Sequence, residues 1–412
     1  MRWPAPLAIS AAVAVALATC VKPHAPAPVR AGREPDIRVG LVLTGSRATV
    51  SGEGETAGVV GGNVSFRLTP GQQVTLRPEG MAVVVEEGQG PVRFENLTFV
   101  SLTPDRFVTV NGKAYRGIVE AYQRNGGLYL VNRLPVDAYL QGVVSAEMGR
   151  RAPNEAAALA AQAIVSRTYA LSNRGRFGTL GYDVGGGISD QAYGGVGSET
   201  PQGNEAVRRT RGALLTYRGQ PIKVFFHSTC GFATAAPEEA FRTVGSEPYL
   251  RSVSDRRERG GYYCDISPRF RWQVEWDAAT LTGILRRAAP AQLGIDSAQI
   301  DQIRDIRVAR TGPSGRVTEV RVSVGGGEIP VYGPDLRVVF RTPAGDPLGS
   351  TAFQLRTGSS AAGSLTITAA GAGWGHGVGM CQWGAVGRAR EGQSAEAIVT
   401  TYFPGAVLER WY

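Results

Sequence analysis

The side chain best placed for acid–base chemistry is Glu147. It stands next to last in the run Asp137-Ala138-Tyr139-Leu140-Gln141-Gly142-Val143-Val144-Ser145-Ala146-Glu147-Met148. A carboxyl group held against apolar walls has its pKa raised, stays protonated near neutrality and can act as a general acid. The same residue could instead be a surface carboxylate at a helix end, paired with Arg150 or Arg151.

Two further stretches concentrate reactive types. Phe225-Phe226-His227-Ser228-Thr229-Cys230-Gly231 brings a His, a Ser and a Cys together. Gly373-Trp374-Gly375-His376-Gly377-Val378-Gly379-Met380-Cys381-Gln382-Trp383-Gly384 joins His376 and Gln382 to a backbone that glycine leaves free to approach a ligand. Trp374 and Trp383 could stack on sugars or belong to the core. The Walker lysine is missing, so the glycines do not read as a phosphate loop. No H-E-x-x-H pair supports a zinc hydrolase, and no flanking signature supports a Cys–His protease. Cys230, Cys264 and Cys381 remain once Cys20 is set aside with the N-terminal signal. A Cys230–Cys264 disulfide suits an oxidising compartment; a tetrahedral zinc site of these thiolates with His227 or His376 is the alternative.

The elements that must position these groups form an α+β chain. From Asp36 to Val131, short apolar runs such as Ile37–Leu43 and Met81–Val85 alternate with Gly and Pro-Gly turns, which predicts antiparallel sheet. Pro135 then suits a first helical turn, and Val136, Tyr139, Leu140, Val143 and Val144 recur at helical spacing up to Met148. An Ala-rich helix is expected from Pro153 to about Ser172. Strands are expected at 213–217 and 222–227, with Arg218-Gly219-Gln220 between them as a hairpin-like connection. A helix at 278–288, β structure over 304–356 and one helix over 384–402 complete the pattern.

Composition narrows the class. The chain is 43% hydrophobic and 19% charged, which supports a sizeable core. The net charge of +9 is carried almost wholly by Arg and suits an anionic partner. The basic residues are scattered, without a basic arm, zinc-finger spacing or RNA-binding signature, so nucleic acid is not the expected partner. Arg2 followed by the apolar stretch Ala5–Ala18 reads as an export signal over 1–20. Ala16-Leu17-Ala18 offers ordinary cleavage, and Leu17-Ala18-Thr19-Cys20 a lipid anchor at Cys20. Residues 21–36, rich in Pro and Ala, read as a tether. The body, 37–412, divides into a β-rich part, 37–131, and a core with the motifs, 132–412. The chain is expected on the outer side of the cytoplasmic membrane, attached to it only through that anchor.

Taken in order, these motifs resemble the SpoIID/LytB family. The likeness runs through Tyr115-Arg116-Gly117, Leu134–Leu140, Gly142–Met148, Ala161-Gln162-Ala163, Ser166–Ala170, Asp190–Gly195, Phe226–Gly231, Pro248-Tyr249-Leu250, Gly375–Gly384 and Tyr402-Phe403-Pro404-Gly405. It implies a lytic transglycosylase acting on peptidoglycan glycan strands, with Glu147 as the acid and no cofactor required. Arg167, Gln191, Tyr193, His227, His376 and Gln382 would line or support the groove. The family's amidase-enhancer branch implies the other role, binding to the wall or to a cell-wall amidase without cleavage. Some members hold zinc with a Cys pair around the Gln-x-Tyr motif; this chain has Gly185, Gly186, Ser189 and Asp190 there. Many members have Ser at the position of Cys381, which by analogy sets that thiol within reach of the other two.

Overall fold

The computed structural model describes residues 32–87, 90–361 and 363–412. The expected export signal, the anchor at Cys20 and residues 21–31 of the tether lie outside them. Among the described residues no helix is long and apolar enough to cross a membrane.

The chain is α+β, and its N-terminal part is sheet, as the turn spacing predicts. A seven-stranded sheet is built around Asp36–Gly45, which pairs antiparallel with Gly127–Pro135. A six-stranded sheet runs from Lys113–Tyr115 through Ala48–Gly52 to Gly90–Phe94. Their inward side chains, among them Ile37, Val50, Leu76, Phe99 and Leu130, share one apolar core with the helices that follow. Residues 32–36, expected as tether, are held in place. Gly32 N–H donates to the Trp411 carbonyl, Val136 N–H donates to the Pro35 carbonyl, and the Glu34 carboxylate accepts from Asp137 N–H. Glu34 thereby satisfies a donor that the first helical turn cannot bond internally.

Helix α1 (Val136–Met148) begins where Pro135 ends the strand, and all five of its predicted apolar positions are buried. After one 3-10 turn, helix α2 (Ala156–Ser172) runs through the middle of the core, buried from Ala161 to Leu171. Helix α3 (Pro201–Arg209) is capped by Thr200. The hairpin after it turns on Arg218 and Gly219, both at positive φ, but its second strand is only Gln220–Pro221. The predicted strand 222–227 is largely absent. Phe226–His227 instead pairs in parallel with Met380–Cys381, which brings two distant motifs side by side.

After the short helix α4 (Pro237–Ala240), the chain leaves the main body through Arg271–Asp277 and returns through Leu365–Ala372. These strands pair antiparallel from Arg271↔Ala372 to Asp277↔Thr366. Between them lie helix α5 (Ala278–Leu293), a three-stranded meander over 305–332 and helix α6 (Gly333–Val339), around a second core that includes Trp276, Leu285, Val320, Val331 and Ile367. Helix α6 was not expected within the β-rich stretch. The C-terminal helix is two helices, α7 (Gln382–Arg390) and α8 (Ala395–Tyr402), separated at Gly392, whose φ of 81° a helix cannot hold.

Candidate active site

Glu147 sits in the last turn of α1, half-buried. Its Oε1 accepts Ala192 N–H at 2.6 Å, and its Oε2 faces Gln382 Nε2 at 3.4 Å. Ala192 reaches the carboxylate because its loop lies flat on α1. Gly194 N–H and the Ser198 hydroxyl both donate to the Gly142 carbonyl. A Cβ at Gly142 would stand 2.6 Å from the Tyr193 ring, so only glycine permits this approach. No ion pair to Glu147 occurs among the described residues, and neither Arg150 nor Arg151 serves it. Arg151 stacks over the Trp383 ring at 4.6 Å. Burial raises the pKa of Glu147, and the two hydrogen bonds from Ala192 and Gln382 only partly offset it. The result is a carboxyl group that touches solvent, is held by neutral donors and keeps its proton to higher pH than a free carboxylate would.

Of the six residues expected at the groove, one meets the acid. Gln382 opens α7 and turns one N–H toward Glu147 and the other toward Gln162 Oε1 at 3.5 Å. Arg167 is corrected from a substrate contact to an internal clamp. Its side chain is fully buried, paired with Asp137 at 2.8 Å and bonded to the Ala213 carbonyl and the Tyr412 hydroxyl. Gln191 is likewise sealed in, its Oε1 accepting from the Tyr139 hydroxyl. Tyr193 is buried, with its hydroxyl on Asn132 Oδ1 at 2.7 Å. The two imidazoles brace the glycine loop. His227 Nδ1–H donates to the Val378 carbonyl at 3.1 Å. His376 Nε2–H donates to the Phe226 carbonyl, and its Nδ1 accepts Val378 N–H. Burial pushes both rings down to about 3, so they are neutral near pH 7 and donate no proton there. Trp374 and Trp383 are partly exposed, each with an Arg over one ring face. Sequence reasoning missed Ala192 and Gln162. Ala192 acts through its backbone and carries no side-chain signal.

The cysteines form a second constellation. Cys230, Cys264 and Cys381 are free thiols, and the Cys230 and Cys264 sulfurs are 3.5 Å apart. A disulfide requires about 2.05 Å, so the expected Cys230–Cys264 bond is not present. The fourth member is Asp255, not His227: one ligand atom from each of Cys230, Asp255, Cys264 and Cys381 lies within 4.8 Å of the others. Asp255 accepts from the Tyr402 hydroxyl at 2.7 Å and from Cys264 N–H at 3.0 Å, beside Arg388 at 3.4 Å. Cys381 caps α7, its sulfur accepting from Gly384 N–H and Cys230 N–H. A Cβ at Gly384 would stand 2.1 Å from the Tyr402 hydroxyl, so glycine is what lets α7 settle on this cluster.

Comparison with known proteins divides the chain in a corresponding way. Residues 124–217, which hold Glu147 and Ala192, match the SpoIID model, described as Stage II sporulation protein. Residues 238–379, which hold Asp255, Cys264 and the second core, match a Domain of unknown function (DUF8618). An uncharacterized protein of Brachyspira hyodysenteriae is 30% identical over 307 residues, 74% of this chain and 74% of its own. Stage II sporulation protein D of Bacillus amyloliquefaciens is 30% identical over 294 residues, 67% of this chain and 74% of that protein. The amidase enhancer of Bacillus subtilis is 28% identical over 297 residues; the match takes in 65% of this chain but only 40% of that longer protein.

Proposed function

This chain belongs to the SpoIID/LytB family, and on that premise we propose that it is an exported cell-envelope protein that cleaves peptidoglycan glycan strands as a lytic transglycosylase. The observation that carries this reading is the state of Glu147: half-buried, raised in pKa by burial, and held by an amide N–H and a side-chain amide, with no ion pair to it among the described residues. An arginine partner would pin the group as a carboxylate. Neutral donors hold its position while allowing it to carry or release a proton.

One such group suffices for the reaction. Protonated Glu147 gives its proton to the glycosidic oxygen, and the C1–O bond breaks with oxocarbenium character at C1. The sugar's own 6-hydroxyl then bonds to C1, and its proton passes to the Glu147 carboxylate. The products are a free 4-hydroxyl end and a 1,6-anhydro end, with Glu147 restored. Hydrolysis by the usual mechanism needs a second carboxylate; this route does not. Ala192 N–H and Gln382 would steady the carboxylate in the interval after it has lost its proton.

The test is mass spectrometry of purified glycan strands, with and without stem peptides, incubated with the protein and with Glu147→Gln. Anhydro ends from the unaltered protein alone are the expected result. Binding without new ends from either protein would overturn the enzymatic reading and favour the role named for the Bacillus subtilis relative, enhancement of an amidase.

A further inference from the structure

We propose that Cys230, Asp255, Cys264 and Cys381 bind one zinc ion in a closed tetrahedral site. Tetrahedral zinc with Zn–S bonds of about 2.3 Å sets its sulfurs about 3.8 Å apart. The Cys230 and Cys264 sulfurs lie 3.5 Å apart, near that edge and far from a bond, and all four ligand atoms fall within 4.8 Å of one another. The donor set of three sulfurs and one carboxylate oxygen matches a borderline-soft dication. A disulfide between any two of these cysteines would leave the third thiol buried beside a carboxylate with no chemistry to perform.

Charge is the second, independent argument. Three thiolates and a carboxylate around a dication leave a net charge of −2. Two buried guanidinium groups stand against it. Arg388 faces Asp255 Oδ1 at 3.4 Å. Arg316, fully buried, donates from Nη2 to the Cys230 carbonyl at 2.7 Å, while its Nε and Nη1 have no hydrogen-bond partner. A buried arginine with idle donors is costly unless an anion lies close by. An anionic zinc–thiolate centre is such a neighbour, and Arg316 already holds the backbone of its ligand Cys230.

The site is structural, not catalytic. All four ligands have 0% exposure, so no coordination position opens to a substrate. Its effect is to tie the segment after Phe226–His227, the loop carrying Asp255 and Cys264, and the first turn of α7 into one unit. Gln382, the residue that meets Glu147, directly follows the ligand Cys381. The inference stands whether or not Glu147 cleaves glycan.

Elemental analysis of the purified full chain, grown and handled with zinc present, should find one zinc per chain. Alkylation after denaturation should find Cys230, Cys264 and Cys381 all as free thiols. Cobalt(II) exchanged into the protein should give the visible bands of a tetrahedral thiolate complex. Cys264→Ser and Asp255→Asn should weaken zinc binding by about 10–100-fold or more. Should either variant fail to fold, the metal count, thiol count and cobalt spectrum of the unaltered protein decide. A chain that carries no metal, shows no cobalt–thiolate bands or has lost two hydrogens to a disulfide would overturn the proposal.

Discussion

Burial raises the pKa of two carboxylic acids, Glu147 and Asp255, yet their surroundings differ. Glu147 is half-buried, touches solvent and is met by two neutral N–H donors. Asp255 is sealed beneath Tyr402, Arg388 and three thiols, and burial, followed by the charge of Cys264, pushes it up to about 7. A raised pKa is therefore no sign of catalysis on its own. What separates the two is access, together with the partners that wait for the proton's departure. Glu147 can exchange a proton with a bound sugar. Asp255 can exchange nothing without opening the core.

The strongest way to break this comparison is to remove each acid in turn. Glu147→Gln should lower glycan cleavage by about 10²–10⁴-fold, the usual worth of a general acid, with the far-UV spectrum and wall binding unchanged. Asp255→Asn should leave Arg388 buried without its counter-charge and cost about 3–5 kcal/mol in chemical denaturation, whatever its effect on turnover. If the two variants exchanged phenotypes, the assignment of roles would be wrong.

Gln382 sharpens the contrast, since it touches the first acid and follows a ligand of the second cluster. Gln382→Ala should remove a bond worth about 0.5–1.5 kcal/mol, lowering kcat several-fold with little change in KM. Gln382→Glu should set a like charge against Glu147 and move the alkaline limb of the cleavage–pH profile upward. A purely structural residue would leave that limb in place.

Stability should follow protonation with a definite sign. Burial raises the folded-state pKa of Glu147 above its unfolded value. The folded carboxyl is therefore unpenalised below the unfolded pKa, and it costs stability as pH rises through the interval between the two. Glu147→Gln should accordingly raise Tm at neutral pH and lose that advantage in acid, as read by thermal scans at several pH values. The smallest effect expected is that of Arg151→Ala, which removes the stack on Trp383 and about 0.5–1 kcal/mol.

Helix α1 was legible because Pro135 and five apolar positions state its start and its buried face without ambiguity. The identity of the acid followed from the ordered motifs, but its freedom from Arg150 and Arg151 did not. That depends on where Trp383, distant in sequence, draws Arg151. Arg167, Gln191 and Tyr193 come, like Gln382, from motifs that carry the family likeness. A motif does not distinguish a residue that touches substrate from one that holds the groove together, and these three proved to be buried. Asp255 was illegible for the opposite reason: in Ser254-Asp255-Arg256 it looks like any charged loop residue, and only the fold carries it beneath Tyr402. The disulfide expectation failed because cysteine count and compartment say nothing about the distance between sulfurs. Helix α6 went unseen because its seven residues open on Gly333-Pro334 within a stretch rich in β-branched residues.

The paired stem Arg271↔Ala372 has a consequence for the order of folding events. Cys230 and Cys381 are 151 positions apart, and the residues between Arg271 and Ala372 make up much of that distance. An unfolded intervening segment would be a long loop to close, and each halving of such a loop recovers about 0.6 kcal/mol. Once the second core has formed, its stem delivers the two flanking segments side by side and the loop shrinks to a hairpin's reach. The segment acts as a splint. Pulsed hydrogen exchange during refolding should show amides of residues 273–370 protected before those of α7, and simultaneous protection would argue against the splint.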